Sequence, residues 1–127
     1  MKVGDLLKSS VISCQEDEPI ECVVAKMYTS NVGSVVVVDK ANSPVGIVTE
    51  RDIVRFIAQD IDLKTPLSHV ARKGLITASP EESIISAAVK MVENNIRHMP
   101  VLERGRLVGV ISIRDVLRAL LTTEAFP

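Results

Sequence analysis

Residues 34–38 and 99–102 are candidate strands because each holds an apolar run with no polar alternation. Runs of this kind are typical of strands that are buried on both faces. A second apolar segment follows each run, at 45–48 or at 107–111, and the turn-forming residues 40–44 fill the first connection. The short connections predict two β-hairpins.

Helices are predicted on both sides of each hairpin. They cover 20–30 and 50–58 around the first hairpin, and 83–94 and 113–121 around the second. The spacing of three or four residues that indicates an amphipathic helix is clearest in the third of these segments. Its apolar positions are Ile84, Ala87, Ala88, Met91 and Val92.

Short extended pieces complete each set of elements. They are predicted at 11–13 and 75–77, before the first helix of each set, and residues 59–66 form the linker between the sets. The order in both sets is therefore strand, helix, strand, strand, helix. The expected fold class is α/β (α+β), with small sheets covered by helices.

Polar residues at the predicted helix starts fit capping positions. Thr49 and Ser112 precede the last helix of each set and are predicted as N-caps. Before the third helix, Ser79, Pro80 and Glu82 fit an N-cap, an N1 proline and the N3 acid of a capping box. Ser79 is therefore the predicted N-cap of the third helix.

The two sets of elements are copies of each other. Gly-Ile-Val-Thr-Glu-Arg-Asp-Ile at 46–53 recurs as Gly-Val-Ile-Ser-Ile-Arg-Asp-Val at 109–116, and upstream matches recur at a spacing of 64. A solenoid needs at least three repeats to bury its core, so two copies indicate a different architecture. We expect repeats over 1–62 and 63–127, related by a pseudo-twofold axis within one module, with any pocket at their junction present in two versions.

Composition narrows the classes of function. Of the 127 residues, 46% are hydrophobic, but there are two Phe, one Tyr and no Trp. The net charge is −1, so the chain lacks the basic character typical of nucleic-acid binding, and it has few rings on which bases could stack. These features argue against a nucleic-acid partner.

No metal site is predicted from the cysteines and histidines. Cys14 and Cys22 form no CxxC pair, and His69 and His98 are far from both in sequence. Both thiols are expected to be structural or solvent-facing, as in a reducing compartment. The acidic residues 16–18 are expected to form a solvated loop.

No catalytic motif is present in the sequence. The chain contains no Gly-x-Ser-x-Gly, no His-Glu-x-x-His and no phosphate-binding Gly-x-x-x-x-Gly-Lys-Ser/Thr. It also contains no signal-like leader and no apolar run of 18 residues, so neither a membrane partner nor export is expected. The sequence thus predicts a cytoplasmic, non-catalytic protein.

The repeated motif Gly-Φ-Φ-Thr/Ser-x-x-Asp, where Φ is apolar, carries the main chemical signal. In the first copy, Gly46 would let another group approach the backbone, and Thr49 presents a hydroxyl beside the unpaired N–H groups of a helix start. Asp52 follows three residues later and could accept hydrogen bonds from the two hydroxyls of a ribose. The structural alternative is a capping box, in which Asp52 accepts from the Thr49 N–H. Taken alone, the motif favours the capping box.

The order of elements and this motif resemble the CBS (cystathionine β-synthase) domain. Two in tandem resemble a CBS pair, or Bateman module, and the resemblance covers nearly the whole chain. Residues 31–39 and 95–101 also look like the second-strand segments of that family. With this resemblance, ribose binding becomes the preferred interpretation of the motif over a purely structural capping box, because in CBS pairs these positions bind the ribose of adenosine compounds.

The resemblance implies two nucleoside sites. It assigns ribose binding to Thr49, Asp52, Ser112 and Asp115. It assigns an apolar adenine slot, read by main-chain groups, to Ile12, Ser13, Ile47, Ile76, Thr77 and Val110. Each site would combine one motif with the residues 12–13 or 76–77 of the other copy.

Phosphate binding is expected at basic residues. Arg97 and His98 occupy the place where the first copy has Gly33 and Ser34, and in related modules basic residues here contact phosphates. Arg51 and Arg114, each next to a motif aspartate, could reach the opposite site. The structural alternatives are a solvated charge for Arg97, a half-buried histidine for His98, and weak ion pairs within the helix for Arg51 and Arg114.

The expected ligand is AMP, followed by ADP or ATP, with S-adenosylmethionine as a weaker option. The protein would be a regulatory sensor with no resident cofactor. Family practice implies a homodimer through the helices that follow Ile53 and Val116, acting on an effector protein that the sequence does not identify. The alternative is an interaction or dimerisation module whose pockets are vestigial.

Overall fold

The computed structural model describes residues 1–8 and 10–124. The chain forms two compact units. One is Ile12–Leu75, and the other consists of Met1–Val11 together with Ile76–Pro127. The first eleven residues, which belong to the first sequence repeat, therefore pack with the second set of elements.

The unit 12–75 contains a three-stranded sheet and two main helices. Its elements are β1 (Ser13–Gln15), α1 (Ile20–Ser30), β2 (Ser34–Val38), β3 (Pro44–Thr49), α2 (Glu50–Ala58) and a 3₁₀ turn at Leu67–His69. Strand β2 lies in the middle, parallel to β1 and antiparallel to β3. All five residues of β2 are buried, as its unbroken apolar sequence predicts.

The predicted helices of this unit are confirmed at both ends, α1 as 20–30 and α2 as 50–58. Helix α1 ends at Asn31, which adopts the left-handed conformation (φ 53°) that often closes a helix. Asn42 has the same conformation (φ 63°) in the connection from β2 to β3. The first strand is displaced from its predicted position, 11–13, to Ser13–Gln15.

The second unit contains a two-stranded hairpin and two main helices. Its elements are a 3₁₀ turn (Val3–Leu6), α3 (Ile84–Glu93), β4 (His98–Glu103), β5 (Arg106–Ser112) and α4 (Ile113–Ala119). A wider turn of π type continues α4 over Leu120–Glu124, so regular α-helix stops two residues before the predicted end at 121. The antiparallel hairpin β4–β5 confirms the prediction.

The range predicted for α3, 83–94, agrees with the structure to within one residue at each end, but the predicted N-cap, Ser79, is wrong. The N-cap is Ser83, whose Oγ accepts a hydrogen bond from the Ser86 N–H at 3.0 Å. Residues 79–82 form a turn instead, and the N-terminal segment holds them there. The Val3 N–H donates to the Glu82 carbonyl (2.8 Å), and the Gly4 N–H donates to the Pro80 carbonyl (2.9 Å). Because these carbonyls accept hydrogen bonds from the N-terminal segment, the helix begins one turn later than a cap at Ser79 would place it.

The second predicted extended piece, 75–77, does not form a strand. Pairing begins one residue later, at a single bridge between Ala78 and Val101. The Ala78 N–H donates to the Pro100 carbonyl at 3.0 Å, and the Leu102 N–H donates to the Ala78 carbonyl at 2.9 Å. The open edge of β4 is thus paired with a single residue, Ala78, and not with a full strand.

Each unit has its own apolar core. Phe56, Ile20 and Leu67 are fully buried in the unit 12–75. Met91 and Val3 are fully buried in the other unit. Val3 and Leu67 lie 64 positions apart, the spacing of the repeat, and each anchors a 3₁₀ turn on its unit. Within the described residues, no helix is both long enough and apolar enough to cross a membrane.

Candidate functional site

The start of α2 places the Asp52 carboxylate against Thr49. Asp52 Oδ2 accepts from the Thr49 N–H at 2.8 Å and from the Thr49 hydroxyl at 3.1 Å. The Asp52 N–H lies 3.4 Å from Thr49 Oγ1, which completes a capping box. The capping alternative is therefore realised, and it fixes the hydroxyl and the carboxylate side by side at the helix start.

Asp52 is a buried carboxylate between two arginines. The residue is 6% exposed, and its side chain lies 3.5 Å from Arg55 Nη2 through Oδ1 and 3.3 Å from Arg72 Nε through Oδ2. Burial of an unpaired carboxylate is costly, and here the hydrogen bonds from Thr49 and the two guanidinium groups together offset that cost. The ion-pair partners of Asp52 are thus Arg55 and Arg72, whereas the sequence suggested Arg51.

The start of α4 repeats this geometry with fewer cations. Asp115 Oδ2 accepts from the Ser112 N–H at 2.8 Å, and Ser112 Oγ accepts from the Asp115 N–H at 3.0 Å. The Asp115 side chain is 21% exposed, against 9% for Asp52, and its ion-pair partner is Arg118 at 3.9 Å. The two motifs therefore differ: one carboxylate is buried between two arginines, and the other is more open.

The motif glycines allow close approach of the protein's own chain. A Cβ atom on Gly46 would lie 2.6 Å from the Ala71 Cβ and 3.0 Å from the Arg72 carbonyl oxygen. A Cβ atom on Gly109 would lie 2.5 Å from a terminal methyl carbon of Leu7. The expectation of a close approach is met, but the group that approaches is a segment of this chain.

The residues predicted to bind phosphate lie beside the two helix starts. Ser34 pairs with Thr49 across β2 and β3, and His98 pairs with Ser112 across β4 and β5. Just before each strand, the Gly33 carbonyl accepts from the Glu50 N–H at 3.1 Å, and the Arg97 carbonyl accepts from the Ile113 N–H at 2.9 Å. The register therefore brings these positions next to the capping hydroxyls.

The side chains at these positions differ in exposure. Ser34 is buried, His98 is half-buried, and Arg97 is exposed next to the start of α4. Arg51 and Arg114 are also exposed, each one position before a motif aspartate. The exposed Arg97 and the half-buried His98 give the α4 start a basic neighbour that the α2 start does not receive from Gly33 and Ser34.

The residues predicted to bind adenine are placed by strand pairing. Ile47 is 7% exposed, and its N–H and carbonyl each bond to the backbone of Arg72 at 3.1 Å. Val110 pairs with Pro100 in the hairpin. Ile12 and Ile76 are half-buried, each in its own unit. The main-chain groups of Ile47 are therefore already paired within the unit.

The carbonyls of Ser13 and Thr77 have equivalent partners. Lys26 Nζ donates to the Ser13 carbonyl, and Lys90 Nζ donates to the Thr77 carbonyl at 3.0 Å. The two lysines lie 64 positions apart, as the two carbonyl residues do. This bond is thus a duplicated feature of the fold that fixes the backbone at both predicted adenine segments.

Arg55 and Arg72 were not predicted from the sequence. Arg55 had a detectable signal, because a residue three positions after Asp52 shares its helix face, as Arg118 does with Asp115. Arg72 had no such signal in the sequence, because it lies twenty positions after Asp52 in a segment with no regular helix or strand. It reaches Asp52 because residues 71–72 pack on the motif glycine and pair with Ile47.

Comparison with known proteins assigns the family. Residues 3–59 and 67–122 match the CBS domain family, and together they span most of the chain. The protein therefore belongs to the CBS domain family and carries two CBS domains. This confirms the resemblance, and the mixed α/β architecture of the two units confirms the expected fold class.

Solved structures of the same family extend the comparison. A CBS domain protein of Pyrobaculum aerophilum, in complex with AMP, is 36% identical with a TM-score of 0.86, covering 96% of this chain and 99% of that one. The CBS domain pair of protein MJ0100, in complex with 5′-methylthioadenosine and S-adenosyl-L-methionine, is 27% identical with a TM-score of 0.86. That match covers 94% of this chain and 95% of the other.

A longer relative shows the same module inside a larger chain. An uncharacterised protein of Methanocaldococcus jannaschii is 32% identical over 124 residues. The match takes in 98% of this chain and 44% of that protein. The chain therefore spans less than half the length of this relative.

Proposed function

We propose that this CBS pair is a regulatory, non-catalytic module that binds an adenosine compound at the starts of α2 and α4, with AMP as the first candidate. The observation that carries the proposal is the capping box at both helix starts, whose hydrogen bonds of 2.8 to 3.4 Å hold a hydroxyl and a carboxylate at the same end of the helix. A relative that is 36% identical contains AMP, which supports this ligand class. Another contains S-adenosyl-L-methionine, which keeps that compound as an alternative.

The α4 start is the stronger candidate of the two. Asp115 uses Oδ2 for the capping box, so Oδ1, 3.9 Å from Arg118, is the atom that would accept ribose hydroxyls. Asp52 has an arginine closer to each oxygen, and a ribose would compete with these contacts. Arg97, which is exposed and precedes the His98–Ser112 pair, adds the positive charge that a phosphate requires. We therefore expect tighter AMP binding at this start than at α2.

Calorimetric titration of the full chain with AMP tests the ribose assignment. Asp115→Asn should weaken binding by roughly 1.5–3 kcal/mol, because a charged acceptor is lost while the side-chain shape is kept. Ser83→Ala is the matched control, since it also removes a helix N-cap but lies outside the predicted site. If both Asp115→Asn and Asp52→Asn are folded and bind AMP as tightly as the wild type, the assignment of ribose binding to these aspartates is wrong.

A second titration separates phosphate binding from nucleoside binding. Arg97→Ala should lower the affinity for AMP and leave the affinity for adenosine nearly unchanged, because adenosine has no phosphate to pair with the guanidinium. Arg104→Ala, at the exposed tip of the β4–β5 hairpin, is the control for general loss of positive charge. Equal losses for both ligands would contradict the phosphate role of Arg97.

The second candidate function, an interaction module with vestigial pockets, is favoured by exposed apolar side chains. Val54 and Ile57 on α2 are 67% and 62% exposed, and Leu117 on α4 is 50% exposed. Apolar side chains on these helices are what a homodimer through them would bury. Sedimentation of the wild-type chain and of Val54→Lys tests the dimer. A dimer that forms with no thermal stabilisation by AMP, ADP, ATP or S-adenosylmethionine would favour this second function.

A further inference from the structure

Two thiols and a carboxylate meet at the junction of β1 and α1. Cys14 lies in β1, Cys22 lies in the first turn of α1, and Glu18 lies in the loop between them. Their ligand atoms all lie within 4.8 Å of one another. The sequence alone predicted no relation between the cysteines and placed Glu18 in a solvated loop. The fold brings all three together because the chain reverses between the strand and the helix.

The carboxylate is held in position toward the thiol of Cys22. Glu18 Oε1 accepts from the Gln15 N–H at 2.8 Å, and Glu18 Oε2 lies 3.0 Å from Cys22 Sγ. The Gln15 N–H, followed by the Cys22 hydrogen bond, lowers the pKa of Glu18, so the group is a carboxylate at neutral pH. An outer hydrogen bond that orients a carboxylate is the arrangement found behind metal ligands.

The two sulfur atoms share a semi-enclosed position. Cys14 is buried, Cys22 is half-buried, and their Sγ atoms are 2.6 Å apart. Burial raises the pKa of both thiols, and for Cys22 the hydrogen bonds to Cys14 and Glu18 raise it further. Both thiols are therefore protonated in the free protein, and a cation that binds them as thiolates replaces two S–H protons, which pass to solvent. The cation also removes the repulsion between the three neighbouring anions.

From this geometry we propose that Cys14, Glu18 and Cys22 form a binding site for a thiophilic divalent cation of the Zn²⁺ class. Two thiolates select soft or borderline ions over Mg²⁺ and Ca²⁺. Three protein ligands leave the fourth tetrahedral position to water. The ligands carry three negative charges, two of which the cation neutralises. Lys26, held close by the Ser13 carbonyl, provides a further positive charge.

Binding requires a small movement of one side chain. Two Zn–S bonds of about 2.3 Å at a tetrahedral angle place the sulfur atoms about 3.8 Å apart. Because Cys22 is half-buried, its side chain can rotate away from Cys14 toward solvent while Glu18 stays fixed by Gln15. The alternative chemistry for the two sulfurs is a disulfide, whose S–S bond is about 2.05 Å. A disulfide has no S–H to donate to Glu18 and leaves that carboxylate without its thiol partner.

The test uses the full chain, stripped with a chelator and kept reduced. Titration with Cd²⁺ should give a thiolate-to-metal charge-transfer band that saturates at one ion per chain. Zn²⁺ should displace the Cd²⁺, whereas Mg²⁺ and Ca²⁺ should not, and Zn²⁺ should raise the melting temperature. Cys22→Ser should weaken binding at least about 100-fold, and Glu18→Gln about 10- to 100-fold, since even outer-sphere partners have effects of that size.

Asp17→Asn is the matched control, because Asp17 is an exposed acid of the same loop outside the cluster. It should bind Cd²⁺ as the wild type does. Cys22 and Glu18 are not fully buried, so their variants should remain folded, which circular dichroism checks. The proposal is overturned by no charge-transfer band in the reduced wild type. It is also overturned if Glu18→Gln or Cys22→Ser binds as tightly as the wild type, or if mass spectrometry finds a Cys14–Cys22 disulfide that persists under the reducing conditions. The assay contains no nucleotide, so its outcome is independent of the function proposed above.

Discussion

At the scale of single residues, the motif Gly-Φ-Φ-Thr/Ser-x-x-Asp combines structural and candidate binding roles. The aspartates close capping boxes on Thr49 and Ser112, and the same hydrogen bonds hold each carboxylate beside a hydroxyl. A capping role and a binding role are therefore compatible, because the capping box uses Oδ2 of each aspartate. The sequence could name these residues, since the repeat marks them twice. The sequence could not tell which of the two aspartates is the more open to a ligand, because the second arginine at Asp52 comes from a distant segment.

The glycine contacts predict different costs for the same substitution. Gly46→Ala should destabilise the protein by about 1–3 kcal/mol, because the new methyl meets Ala71 and the Arg72 carbonyl, neither of which can rotate away. Gly109→Ala should cost less than about 1 kcal/mol, because the methyl meets the flexible end of Leu7. Urea denaturation of both variants measures the difference. Equal costs would show that the close approach to Gly46 does not limit the side chain there.

At the scale of elements, the boundaries followed the sequence wherever local signals were sufficient. Helices α1 and α2 begin and end as predicted. Thr49 caps the start of α2, and the left-handed Asn31 closes the end of α1. For α3 the predicted range was right to within one residue, but the predicted N-cap was Ser79. Ser79 and Ser83 both offer a capping hydroxyl, and the backbone bonds from Val3 and Gly4 select the second. No local pattern contains those bonds.

Glu82, just before α3, should make stability depend on pH. Burial tends to raise its pKa, but hydrogen bonds from Lys90 and Ser86, with the charge of Lys90, outweigh this and leave the pKa below its usual range. A lowered folded-state pKa stabilises the fold fully above the unfolded value of about 4.3, and the stabilisation is lost as the pH falls through the folded value.

Glu82→Gln should therefore be less stable than the wild type at pH 7, and the gap should narrow as the pH falls below about 4. Urea denaturation at a series of pH values measures this. Glu81→Gln is the control, because Glu81 is exposed and its surface ion pair with Lys2 is worth little. A gap between Glu82→Gln and the wild type that stays constant down to about pH 2 would contradict the linkage.

At the scale of the whole molecule, each repeat begins with a segment that carries a buried anchor. Val3 and Leu67 are fully buried at equivalent positions of the repeat, and each contributes to a core cluster. Residues 71 and 72, which follow Leu67, also supply the contact to Gly46 and the ion pair to Asp52. The 3₁₀ turn at Leu67 thus links the packing of its unit to the candidate site.

Leu67→Ala should destabilise the protein by about 2–5 kcal/mol, because it opens a cavity in the core of the unit 12–75. Leu117→Ala makes the same change at a half-exposed position and should cost well under the lower end of that range. Thermal and urea denaturation compare the two. A cost for Leu67→Ala no larger than for Leu117→Ala would show that the 3₁₀ turn does not contribute to the core.

The sequence by itself determined the duplication, the order of the main helices and hairpins, the CBS family and the residues at the two helix starts. These depend on local spacing and on repetition, both of which are written along the chain. Tertiary structure decided which residues surround those positions: the arginines at Asp52, the segments packed on the two glycines, and the meeting of Cys14, Glu18 and Cys22. Such contacts join residues with no common local pattern, and their energies depend on burial and distance, which exist only once the chain has folded.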